Sequence, residues 1–95
     1  MAAYIIARIN ITNPEKFKQY QLATPAILEK YHGKFIVRGG DVNTLEGNEE
    51  TGRIVIIEFP DQEHCDAFYN SPEYTAARKL REGAATADFI SVAGV

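Results

Sequence analysis

The sequence predicts one small α+β domain of β-α-β-β-α-β order, in which a four-stranded antiparallel sheet carries two helices on one face. Three observations lead there. Ninety-five residues make one domain. Four stretches have the β-branched, alternating character of strands, and two longer stretches carry apolar residues at helical spacing. Their order is the split βαβ pattern, and right-handed crossovers put both helices on the same side of the sheet.

Residues 3–11, AYIIARINI, are rich in β-branched side chains and form the first predicted strand. Thr12-Asn13-Pro14-Glu15 ends it and starts a helix. Asn13 suits the N-cap, Pro14 the first helical position, and Glu15 the positive end of the helix dipole. Phe17, Tyr20, Thr24, Ile27, Leu28 and Tyr31 fall on one stripe of that helix. Pro25 lies inside it and is expected to kink or split it, with Thr24 recapping the second half. Gly33 is the expected C′ residue.

Lys34 to about Arg38 is the second strand, and Gly39-Gly40 marks a bulge or a close backbone approach. Residues 41–52 hold Asp41, Asn43, Gly47, Asn48 and Gly52, the composition of a loop. Residues 53–59, RIVIIEF, are the strongest strand. Asp61 caps the second helix, which Ser71-Pro72-Glu73 divides into two pieces and Gly83 closes. Residues 86–93, TADFISVA, are the last strand. The whole is a ferredoxin-like arrangement.

Alternation sorts the strand residues into two faces. Ile5, Ala7, Ile9, Ile11, Phe35, Val37, Val55, Ile57 and Phe59 are all apolar and are assigned to the helices. Tyr4, Ile6, Arg8, Asn10, Ile36, Arg38, Ile54, Ile56, Glu58, Asp88, Ile90 and Val92 form the other face. That second face is too apolar to stand in water, and no third helix is available to cover it. A second copy of the chain, sheet against sheet, is the simplest cover, so a homodimer is expected. The charged groups on the same face resist dry burial and point to a partly hydrated cleft between the two sheets.

Composition narrows the function. The net charge of −3 disfavours nucleic acid, and no run of like charge offsets it. The N-terminal stretch MAAYIIARIN is short and interrupted by Arg8 and Asn10, so neither a signal peptide nor a membrane span is expected. One cysteine, Cys65, allows no internal disulfide, and a cytoplasmic location is the default. No phosphate loop, dinucleotide fingerprint or nucleophile elbow is present. The two histidines and Cys65 lack metal-ligand spacing, so no metal and no cofactor are expected.

The segments YIIARI, KFIVRGG, LEG at 45–47, RIVIIEFP, FYNSPEY and AARKLR, together with the Tyr20 helix, resemble a bacterial family of unknown function, family thirteen-thirty. The resemblance spans essentially the whole chain. It implies membership of the dimeric α+β barrel superfamily, in which two such sheets close on each other. It implies no activity. His32 stands where similar sequences carry glycine, and Phe68 where they carry tryptophan.

The candidate chemistry sits mainly on the second face. Glu58 is the candidate acid/base carboxylate, and Arg8, on the adjacent strand, would hold it and bind an anion. The alternative is a structural ion pair that stitches the dimer. Arg38 is a candidate carboxylate clamp. Tyr4 lines the same face. Tyr69 and Arg81, with Tyr74 and Arg78, are read either as the rim of a pocket or as core with wet ends. Tyr4, Arg8, Arg38, Tyr69 and Arg81 are therefore the candidate ligand-binding residues, and a small carboxylate is the expected ligand. A cofactor-free enzyme and a non-catalytic structural or regulatory dimer both fit. A haem-using relative fits less well, because neither His32 nor His64 falls on an inner-face strand. Cys65 and the adjacent His64 point about 100° apart on a helix and make no nucleophile–base pair.

Overall fold

A computed structural model describes residues 1–95. The chain runs β1 (Ala3–Ile11), α1 (Pro14–Lys30), β2 (Lys34–Arg38), β3 (Arg53–Phe59), α2 (Gln62–Tyr69), α3 (Pro72–Leu80) and β4 (Ala85–Ala93). The four strands form one antiparallel sheet in the order β2-β3-β1-β4. The expected second helix is two separate helices, α2 and α3. No helix is long and apolar enough to cross a membrane.

The helix starts form as the side chains dictate. Asn13 accepts a hydrogen bond from the Lys16 N–H at 3.2 Å, Asp61 from the His64 N–H at 2.8 Å, and Ser71 from the Tyr74 N–H at 3.0 Å. Ser71 explains the break between α2 and α3: it caps the new helix while its hydroxyl donates to the Phe68 carbonyl at 2.8 Å.

Pro25 does not split α1, which is continuous over Pro14–Lys30. The cost of the proline is a missing N–H for the Gln21 carbonyl one turn earlier. That carbonyl accepts instead from Arg38 Nη2 at 3.2 Å. Thr24 does not recap the helix; its hydroxyl donates to the Tyr20 carbonyl at 2.7 Å.

The C′ residue of α1 is His32, not Gly33. The Gly33 N–H donates to the Leu28 carbonyl at 3.0 Å and the His32 N–H to the Glu29 carbonyl at 3.1 Å, a Schellman closure. His32 therefore takes φ 62°, the only non-glycine residue with positive φ. Gly33 is required one step later for packing: a Cβ there would lie 2.5 Å from a Leu28 methyl and 2.7 Å from the Phe59 ring. A left-handed residue with a side chain costs roughly 1–2 kcal/mol, which glycine avoids. His32→Gly is accordingly expected to stabilise the protein by about 1 kcal/mol, read as a higher urea midpoint with unchanged slope. A lower midpoint would mean that the contact between the His32 and His64 rings, 5.2 Å apart, outweighs the backbone strain.

The core lies between the helices and one face of the sheet. Phe17 and Leu28 of α1, Phe68 of α2 and Tyr74 of α3 are at most 2% exposed and pack on Ala3, Ile5, Ile57 and Phe59. Lys30 at the end of α1 and its C-cap residue Tyr31 both bond Glu73 at the start of α3, Tyr31 at 3.0 Å. The Lys30 bond is the main reason that the Glu73 carboxyl is held down at about 2.

The other face of the sheet is bare. Ile36, Ile90 and Val92 are 47, 60 and 45% exposed, and Tyr4, Ile6, Ile54 and Ile56 are half-buried. The strand alternation of β1 and β3 agrees with the expectation residue by residue. β2 departs from it. Lys34 and Phe35 pair with Glu58 and Ile57, but Val37 pairs with Ile56 and Arg38 with Val55, so Ile36 is an extra residue in a β-bulge. The bulge moves Val37 off the helix face and carries Arg38 onto it.

Candidate functional site

The sequence-assigned residues divide into two groups on opposite faces of the sheet. Tyr4, Arg8 and Glu58 lie on the bare face, as expected. Arg8 and Glu58 do not meet. In the β1–β3 register Arg8 stands opposite Ile54 and Glu58 opposite Tyr4. Arg8 Nε pairs with Glu50 Oε1 at 2.7 Å and so ties the 41–52 loop to β1. Glu58 pairs with Lys34 at 3.2 Å and accepts from the Tyr4 hydroxyl at 3.2 Å. The expected Arg8–Glu58 pair is thus replaced by two local pairs. Glu46 is exposed on the loop, and Asp88 stands beside Arg8 on β4.

Arg38, Tyr69 and Arg81 lie on the helix side. Arg38 belongs to a cleft between α1 and the sheet, because the Ile36 bulge rotates it there. The cleft is lined by Phe17, Tyr20, Gln21 and Thr24 of α1 and by Ala7, Phe35, Val55, Ile57 and Phe89 of the sheet. Its interior volume is about 30 Å³, room for about one water. Arg38 and Arg53 stand at its rim. The Arg38 guanidinium lies over the Phe35 ring, 4.3 Å from its centroid. The ion pairs of the chain are Arg8–Glu50, Lys30–Glu73, Lys34–Glu58 and His64–Asp61. Neither Arg38 nor Arg53 is among them, so these two lining arginines have no carboxylate partner.

Arg53 was not among the sequence candidates. A signal existed: it continues the row Val55, Ile57, Phe59, and an arginine in an otherwise apolar row is out of place unless it borders an opening.

Tyr69 and Arg81 gather around Phe89, which forms a wall of the cleft. Arg81 lies between the Tyr20 and Phe89 rings, 5.3 and 5.0 Å from their centroids. Arg78 lies 4.7 Å from the Tyr69 ring centroid and donates to the Tyr69 hydroxyl at 3.1 Å. The Nε atoms of Arg78 and Arg81 are buried without a hydrogen-bond partner, which the ring faces partly offset. The Tyr20 and Tyr74 hydroxyls meet at 2.6 Å in the core. Burial pushes the Tyr74 phenol far up, the nearby Tyr20 adds to this, and Arg81 opposes it. Tyr69 also lines a second groove of about 220 Å³ with Cys65, Asp66, Asn70 and Ser91. Burial raises the Cys65 thiol, which makes it a poor nucleophile. His64 Nδ1 is engaged by Asp61 at 2.7 Å. No three His, Cys, Asp or Glu side chains come together as a metal site would need.

Solved structures share this architecture. A protein of unknown function from Rhodopseudomonas palustris matches 99% of this chain and 82% of its own, with 18% identity and a TM-score of 0.79. SnoaB, a cofactor-independent oxygenase from Streptomyces nogalater, matches 99% of this chain and 93% of its own, with 12% identity and a TM-score of 0.68. A dimeric ferredoxin-like protein of unknown function from Jannaschia sp. matches 99% of this chain and 100% of its own, with 15% identity and a TM-score of 0.67. At these identities the likeness is one of fold. It places the chain in the α+β, ferredoxin-like class whose neighbours include dimers. Residues 2–95 match the family described as domain of unknown function DUF1330, and the chain belongs to that family. No curated protein matches it.

Proposed function

We propose that this protein works as a homodimer joined through its bare sheet faces, and that each copy binds a small organic acid in the cleft between α1 and the sheet. One observation carries the binding reading: Arg38 and Arg53 border an apolar cleft, and neither has a carboxylate partner. An unpaired guanidinium at the edge of an apolar opening suits a molecule with an apolar body and one anionic head. This reading puts the ligand site on the helix side of each sheet, where the sequence alone suggests the space between the sheets. On the bare face Arg8 pairs with Glu50, and Glu58 is engaged by Lys34 and Tyr4, while Asp88 is exposed beside Arg8. That pairing favours a structural part for Glu58 over proton transfer, and it supports the second reading, a non-catalytic dimer, for that face alone.

The cleft offers hydroxyls, an amide and guanidiniums, which are binding groups. A cofactor-free enzyme, as the Streptomyces oxygenase of the same fold is, would have to draw its proton transfers from Tyr20 or from the substrate. A cavity of about 30 Å³ must widen to admit even a ring. The test is a titration with benzoate, with benzyl alcohol as the neutral control, at fixed ionic strength. Benzoate is expected to raise the melting temperature of the wild type, benzyl alcohol much less, and the benzoate shift is expected to vanish in Arg53→Ala. Equal shifts from both compounds, or a shift that survives in Arg53→Ala and Arg38→Ala, would overturn the acid reading.

A further inference from the structure

We propose that Pro25 and Gly39 are positioning residues that build a carboxylate seat from the Arg38 and Arg53 guanidiniums at the rim of the cleft. The inference rests on the reading of that cleft as an organic-acid site, and it says how the head group is held.

Arg38 is held at a defect in α1. Pro25 has no N–H to offer the Gln21 carbonyl, which leaves that acceptor open to another donor. Arg38 Nη2 fills the vacancy at 3.2 Å. The Phe35 ring supports one flat side of the same guanidinium. A guanidinium has five N–H donors, and this anchoring uses one. The rest stay available in an orientation that is already set.

Arg53 is fixed by a missing side chain. Gly39 has φ +73°, and its N–H donates to the Ile54 carbonyl at 2.9 Å. A Cβ built on Gly39 would fall 2.2 Å from Arg53 Nη1, 2.4 Å from Cζ and 2.9 Å from Nη2. The Arg53 guanidinium therefore occupies the space where any other residue would place its side chain. The two devices are adjacent to the arginines they serve: Arg38 precedes Gly39, and Arg53 packs on it. The run Arg38-Gly39 thus supplies one guanidinium and the resting place of the other. Two planar forks beside an apolar cleft fit the flat, two-oxygen head of a carboxylate, which accepts paired N–H bonds.

The two devices give tests of opposite kind. Pro25→Ala returns an N–H to the Gln21 carbonyl and removes a proline from a helix interior, so it should melt at a higher temperature than the wild type. It also frees Arg38, and re-ordering a loose arginine at binding weakens benzoate affinity about three- to tenfold. Gly39→Ala should weaken benzoate as much as Arg53→Ala does. Because Gly39 acts through Arg53, adding Gly39→Ala to Arg53→Ala should cost no further affinity, and adding Pro25→Ala to Arg38→Ala likewise. Calorimetric titration of benzoate into these variants, with melting measured in parallel, reads all of this. Unchanged affinity in Pro25→Ala and Gly39→Ala, while the arginine variants lose binding, overturns the seat and leaves the cleft reading standing. Losses that add fully in the double variants also overturn the seat. A wild type that does not bind benzoate overturns both.

Discussion

Ile57→Ala is expected to cost about 2–5 kcal/mol of stability, the usual price of truncating a buried aliphatic. Ile57 is 3% exposed in the middle of β3, with Ile5 of β1 and Phe35 of β2 beside it in register. Its side chain packs under the helices and against the floor of the cleft, and close packing leaves little backbone freedom to close the space that truncation opens. Glu58→Gln, one residue on, faces the other way and should change stability by no more than about 0.5 kcal/mol. Glutamine still accepts from Tyr4, and the lost pair with Lys34 involves a largely exposed lysine. Urea denaturation of both variants measures the contrast. If Glu58→Gln unfolds the protein while Ile57→Ala is benign, the two faces of the sheet have been exchanged in the account.

Ile56→Glu is expected to abolish dimerisation. Ile56 sits at the centre of the bare face, opposite Ile6 on one side and Val37 on the other. A carboxylate there stands between two apolar neighbours, and enclosing it between two sheets costs several kcal/mol. The wild type should scatter light as about twice 10.6 kDa and the variant as a single chain. A wild type that is monomeric and well folded, or a variant that dimerises as before, would contradict the assignment of that face.

Most of the fold is legible in the sequence because local rules and global packing agree in it. β1 and β3 carry uninterrupted alternation, so their limits and faces follow from period two alone. Asn13, Asp61 and Ser71 cap helices as their side chains prescribe. The failures come where a tertiary contact replaces a local one. Pro25 should break a free helix, yet α1 continues past it, and the Gln21 carbonyl that proline leaves bare accepts from Arg38, thirteen positions later in the chain. His32 takes the left-handed position because Gly33 is needed against Leu28 and Phe59. The Ile36 bulge has no local signature apart from the glycines that follow it. One extra residue reverses the face of Val37 and Arg38.

The same bulge governs what was legible of the site. Alternation places Arg38 between the two sheets, and the bulge places it under α1. Arg8 and Glu58 share a face, as the sequence says, but register separates them by four positions along β1, a distance that no side-chain pattern in one strand reveals. Arg53 opens a strong strand and reads there as its edge, so alternation alone assigns it no role in a site. Its meaning depends on Gly39, fourteen residues earlier, whose bare Cα leaves it room.

The most direct test of the cleft is to locate a bound acid. Backbone amide and arginine Nε–H NMR signals can be followed as benzoate is added to the wild-type protein. The account expects the largest shifts at Gln21, Thr24, Phe35, Arg38, Gly39 and Arg53, on the helix side of the sheet. Shifts concentrated instead at Tyr4, Ile6, Arg8 and Glu58 would return the ligand to the space between the sheets and contradict the account.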